Sequence, residues 1–140
     1  MRGPFLTVEG LSVVYDQSNG RLPVLDDVSF QVQEQEFLSL VGPSGCGKTT
    51  LLKLIAGLQQ PTAGQIRLAG KAVYRPSRDV GFVFQEPTLM VWRTVRENVM
   101  LPLELNGSGK EEAGRQAQTL IDLVGLTGFE EAYPTQLSGG

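Results

Sequence analysis

Gly42-Pro43-Ser44-Gly45-Cys46-Gly47-Lys48-Thr49 fits the spacing G-x-x-x-x-G-K-[ST] at every fixed position. A triphosphate needs many hydrogen-bond donors within a small radius. Glycines let a backbone curl until successive amides point inward and form an anion-binding nest. A helix starting at the loop adds the partial positive charge of its N-terminus. Lys48 would reach the outer phosphates, and the Thr49 hydroxyl would help hold Mg2+. The competing reading is a chance glycine-rich turn. The loop by itself points to nucleotide binding and leaves the kind of nucleotide-binding protein open.

Such a loop must be positioned by a strand before it and a helix after it. Phe37 to Val41 is almost continuously apolar, which predicts a strand covered on both faces, as in a parallel sheet. Thr50 to Ala56 is rich in leucine and isoleucine and predicts a helix, with Gly57 at its C-terminal cap. Upstream, Val8, Val13 and Tyr15 sit in β-rich stretches, Ser18-Asn19-Gly20 is a turn signal, and Val28, Phe30 and Val32 alternate with polar residues. Gln65 to Leu68 and Asp79 to Phe84 predict further strands. From Thr94 the pattern turns helical. Thr94 and Glu97 match a capping box, and Pro102 is expected to shorten or kink the helix they start. Ala113, Ala117, Leu120, Ile121 and Val124 fall on one face of a second helix, which ends at Gly125 to Gly128.

The chain has 140 residues, 41% hydrophobic, enough for a core rather than disorder. Its net charge of -3 gives no reason to expect a nucleic-acid partner, which usually meets a basic surface. Cys46 is the one cysteine, so these residues form no internal disulfide. At the mouth of the loop Cys46 could sense oxidants, or it could be a small residue tolerated in a tight turn. Met1 to Gly10 does not read as a signal peptide. No apolar run approaches the roughly 20 residues that span a bilayer, so a membrane role would come through a partner.

Beyond the loop's fixed positions, Pro43 to Leu52 resembles the phosphate loop of ABC transporter ATPases. Three further elements occur in that family's order: Tyr15 at a strand end, Gln85 after Val80 to Phe84, and Leu137-Ser138-Gly139-Gly140, which resembles the start of the family's signature. The resemblance covers essentially the whole chain. It implies an α/β fold of the P-loop NTPase type. The expected parts are an antiparallel β-subdomain with a portion of the nucleotide-binding core (residues 1–85) and a portion of the helical subdomain (residues 86–140).

The same resemblance implies roles. Gly42 to Thr50 would bind ATP, with Lys48 on its phosphates and Thr49 on Mg2+. Tyr15 would stack on adenine, the competing reading being an ordinary strand aromatic. Gln85 would sit near Mg2+ and the attacking water. Ser138, Gly139 and Gly140 would contact ATP held by a second ATPase subunit, an identical copy in the simplest case. The segment Val83 to Val99 is similar to importer ATPases of the nitrate, sulfonate and taurine type, with Val91 where those usually carry proline. Permease subunits in a membrane, and indirectly a solute-binding protein, are then the expected partners, at the membrane's cytoplasmic face. Trp92 could contact the permease or pack inside the helical subdomain.

In that family an Asp-Glu pair, with the Glu as general base, and a γ-phosphate histidine follow the signature. These 140 residues contain no histidine and no such pair. Asp16, Asp26, Asp27 and Asp122 read as solvated or turn carboxylates. The expectation is therefore a longer protein of roughly 200 to 250 residues, within the ordinary size of a domain.

Overall fold

A computed structural model describes residues 3–18 and 20–137. Two compact units are present, Met1–Val83 and Phe84–Gly140.

The first unit is built on β1 (Leu6–Gln17), β2 (Gly20–Val32), β3 (Ala63–Leu68) and β4 (Lys71–Ala72), with α1 (Lys48–Ile55) between β2 and β3. The sheet order is β2-β1-β3-β4, and every pair is antiparallel. β1 buries Leu6 and Val8, then Leu11 and Val13. Strict alternation from Leu6 would turn Gly10 and Ser12 inward. A register irregularity between Val8 and Leu11, with Gly10 at φ 57°, restores the apolar residues to the core face. Gly64, at φ 83°, lies across from Gly10, where an added Cβ would strike the Gly10 carbonyl. Pro23 is accommodated because β2 is an edge strand in this sheet.

β2 keeps the expected alternation: Val32 is buried and Val28 and Phe30 half-buried, while Ser29 and Gln31 face solvent. Leu51 and Leu54 of α1 pack into the core formed by Leu6, Val8, Leu11, Val13, Leu25, Val32 and Ile66. That contact fixes the helix, and with it the loop at its N-terminus, against the sheet.

Two expected strands are absent. Residues 37–41 and 79–84 carry no ladder pairing. Phe37 is 90% and Val41 94% exposed, while Leu40 packs against the core. Apolar composition records that a segment is meant to be covered. A strand additionally needs a second strand to form a ladder with, and the described residues offer no pairing strand here.

The second unit holds α2 (Val95–Leu105), α3 (Lys110–Leu123) and a short 3-10 turn at Pro134–Gln136. The capping box forms as expected: Glu97 N–H donates to Thr94 Oγ1 (3.3 Å), and Thr94 N–H to Glu97 Oε2 (2.9 Å). The backbone N–H groups of Val95 and Arg96 donate to the carbonyls of Ala132 and Glu130. Pro102 does not stop α2, which continues to Leu105. α3 buries Ala113, Ala117 and Ile121, and its alanines pack beside Met100 of α2. Leu120 and Val124, expected on that buried face, are exposed.

Candidate functional site

The phosphate-type loop lies entirely in the first unit. Gly45 (φ 81°) and Gly47 (φ 94°) adopt left-handed conformations that side chains resist. At Gly47 the backbone passes close to β2, and an added Cβ would lie 2.8 Å from Leu25 Cδ2 and 3.0 Å from the Val24 carbonyl oxygen. Glycine there serves both the turn and the close approach that seats the loop.

Lys48 folds back across the loop. Its ammonium donates to the carbonyls of Gly42 (2.8 Å) and Pro43 (2.7 Å) and lies 3.6 Å from Cys46 Sγ. A cation is thus held where the backbone curls. The helix behind it has no side-chain cap and no acidic residue in its first turn. The early N–H groups of a helix lack intrahelical acceptors. In α2 a capping box and two backbone carbonyls occupy these donors. In α1 they remain available to an anion, reinforced by the helix dipole and by Lys48. Loop, helix end and ammonium together offer the kind of groups that a polyanion would need.

Gly42, Pro43, Cys46, Gly47 and Lys48 are brought together, with exposed Thr49 and half-buried Thr50 in the first helical turn. The Cys46 thiol is exposed and packs toward Gly42, where an added Cβ would be 2.8 Å from Sγ. Tyr15 is 37% exposed, and its hydroxyl accepts from Gln59 Nε2 (2.6 Å), beyond the C-terminal end of α1. An eight-residue helix is about 12 Å long, so that end is well removed from Lys48. Sequence reading had no signal for Gln59 as the tyrosine's anchor. Gln85 is exposed at the start of the second unit. Ser138, Gly139 and Gly140 lie outside the described residues.

The carboxylates give no rival site. Asp16 pairs with Arg21 at 3.2 Å on the surface. The Asp27 backbone N–H is held by Ser12 Oγ, at φ 48°. Asp122 accepts from Thr127 Oγ1 (2.7 Å) and Gln118 Nε2 (2.9 Å), bonds that hold its carboxyl below the usual range. Among the described residues no group of three or more His, Cys, Asp or Glu could hold a metal ion. A groove of about 1210 Å³ lies elsewhere in the first unit, lined by Phe5, Ile55, Leu68 and Tyr74 among others, with none of residues 42–50. Lys71, Arg75, Ser77 and Arg78 line it as well.

Residues 25–140 match the family model described as ABC transporter. The chain belongs to the ABC transporter family. An uncharacterized ABC transporter ATP-binding protein of Methanocaldococcus jannaschii is 53% identical, covering 96% of this chain and 51% of its own length. A nitrate import ATP-binding protein of Synechocystis is 43% identical, with the same two coverages. Among solved structures, a dimeric ATP-binding cassette, MJ0796, bound to ADP and phosphate matches with a TM-score of 0.85 and 30% identity. That match covers 96% of this chain and 63% of the cassette. The fold is thus that of an ABC ATPase cassette in part, and the chain spans about half the length of the curated relatives it matches.

Proposed function

We propose that the complete protein is the ATPase subunit of an ABC importer. It would bind ATP through the loop, hydrolyse it, and drive solute uptake through permease subunits at the cytoplasmic face of a membrane. The observation that carries this reading is the uncapped helix end behind the Lys48-closed loop. The similarity to a nitrate import ATP-binding protein supports the transport direction. No helix among the described residues is long and apolar enough to cross a membrane.

On this reading, incoming phosphates replace the carbonyls of Gly42 and Pro43 as partners of the Lys48 ammonium. Loop amides and the first turn of α1 take the remaining phosphate oxygens. These donors are in place beforehand, so charge developing on the transferred phosphoryl group meets an environment that needs little reorganisation. Tyr15, with its hydroxyl fixed by Gln59, would offer its ring to the base.

Mg2+ would bring charge neutralisation between the outer phosphates. The residues fit that supporting role. Thr49 contributes one exposed hydroxyl, and Mg2+ commonly takes its other ligands from phosphates and water rather than from a protein cage. Gln85 is the second candidate ligand and would help orient the attacking water. Ser138, Gly139 and Gly140 would complete the site of a second ATPase subunit, as the dimeric state of the related cassette suggests.

The test is ATP binding and turnover by the full-length protein with and without Lys48→Ala. Loss of turnover by about 10²-fold or more is expected, the scale of removing one preorganised donor to developing charge. Turnover that survives the substitution would overturn the reading.

A further inference from the structure

One helix is tied at both of its ends to groups that the proposed site uses. α1 starts at Lys48, directly behind the loop. It ends in a Schellman turn: Gly57 (φ 71°) donates its N–H to the Leu54 carbonyl (3.0 Å), and Leu58 donates to that of Lys53 (2.9 Å). Gly57 leaves no room for a side chain, since an added Cβ would lie 2.4 Å from the Arg75 carbonyl oxygen. The direction in which the chain leaves α1 is therefore fixed. Two residues of this exit segment then reach β1. Half-buried Gln59 donates through Nε2 to the Tyr15 hydroxyl at 2.6 Å. Thr62 accepts the Val14 N–H on its Oγ1 (3.0 Å) and donates its own N–H to the Ser12 carbonyl (2.9 Å).

Thr62 thus holds the β1 backbone beside Tyr15, and Gln59 holds the far end of the tyrosine side chain. A backbone tie stops at Cα and leaves the ring free to change rotamer. The hydroxyl tie removes that freedom while the residue stays 37% exposed. Ordering a side chain in advance spares a ligand the cost of ordering it on binding. We infer that Gln59 is a positioning residue through which α1 sets the spacing between the phosphate loop and the Tyr15 ring. The inference rests on the reading above that this ring meets the base of ATP. It goes beyond that reading by naming what fixes the ring, and by confining the effect to ligands that carry a base. A bare phosphate chain meets only the loop end of α1.

The test is equilibrium binding of two probes to the full-length protein: ATP, and inorganic tripolyphosphate, which has the phosphate chain without the base. Wild type, Gln59→Ala, Tyr15→Phe, the double variant and Tyr15→Ala are compared. Gln59→Ala should bind ATP about three- to tenfold more weakly, the scale of re-ordering one freed side chain, with tripolyphosphate affinity unchanged. A loosened fold would weaken both probes alike. Tyr15→Phe keeps the ring and removes the same hydrogen bond from the other side. It should match Gln59→Ala, and the double variant should be no weaker than either. Tyr15→Phe also carries the test should Gln59→Ala not fold. Tyr15→Ala removes the ring itself and should weaken ATP binding by about tenfold or more, the scale of base stacking on an aromatic.

The proposal is overturned if Tyr15→Ala weakens ATP binding while Gln59→Ala and Tyr15→Phe bind as wild type does. Effects of the two single variants that add, or an equal loss of tripolyphosphate affinity, would overturn it too. If Tyr15→Ala binds ATP as tightly as wild type, the reading of the ring as the base's platform falls, and the positioning role with it.

Discussion

Gly47 shows how two demands can converge on one residue. Its φ of 94° disfavours any side chain, and Leu25 and the Val24 carbonyl leave no room for one. Gly47→Ala is expected to destabilise the first unit by about 1–3 kcal/mol, the scale of a strained backbone position, and to weaken ATP binding with it. Urea denaturation and nucleotide titration on the same preparation check both effects. Gly42 poses a milder version, because its obstacle is the Cys46 thiol. Gly42→Ala should therefore bind ATP more weakly than wild type and recover in part when combined with Cys46→Ala, which removes Sγ. The same titration reads the recovery. Both glycines were legible from the motif's spacing, and at Gly47 a left-handed turn constrains residue type locally. Gln59 was not, because a glutamine 44 positions from its tyrosine partner leaves no periodic trace.

Elements in the second unit depend on polar ties as much as on their small apolar seam. Thr94→Ala removes the hydroxyl that caps α2 and should cost about 1 kcal/mol, read as a lower midpoint in thermal or urea unfolding. A second tie is Gln118, which donates to Asp122 and to Glu130 (3.0 Å) and accepts from Arg96 (2.7 Å). Hydrogen bonds from Thr127 and Gln118 lower the Asp122 pKa, and the bond from Gln118 is the main cause of the lowering at Glu130. Depressed carboxylate values stabilise the folded state above the unfolded pKa, about 3.9 for Asp and 4.3 for Glu. That contribution is lost as pH falls through the lower folded values. Gln118→Ala should therefore be less stable than wild type at neutral pH, with the difference closing below about pH 4. Urea midpoints across a pH series measure it. The capping box was readable in the sequence because Thr94 and Glu97 are three residues apart. The Gln118 network was not, because Arg96 of α2 and Glu130 reach Gln118 only when α2, α3 and the segment after α3 pack together.

On the scale of the whole molecule, surface area is the informative quantity. The chain exposes 10378 Å². A compact protein of 15.2 kDa would expose about 7,100 Å², and two separate units of these sizes about 8,500 Å². Both figures fall short of that area, and large apolar residues account for part of the exposure, Phe37, Val41, Val83 and Leu123 being all at least 78% exposed. The 140 residues expressed alone should bind hydrophobic dyes and self-associate, and a longer product that covers these positions should do so far less. Sedimentation of the two side by side is the check.

By itself the sequence determined the loop, its helix, the capping box and the family. The first three rest on residues a few positions apart, where backbone geometry and hydrogen-bonding reach restrict what can occupy a site, and the family rests on several such motifs in a set order along the chain. Only the tertiary structure decided that residues 37–41 and 79–84 form no strand, that Leu120 and Val124 face outward, and that β1 shifts its register at Gly10 to keep Leu11 and Val13 inside. Those outcomes depend on which distant segment arrives to pair or to cover. Apolar composition records the need for a neighbour without specifying which one.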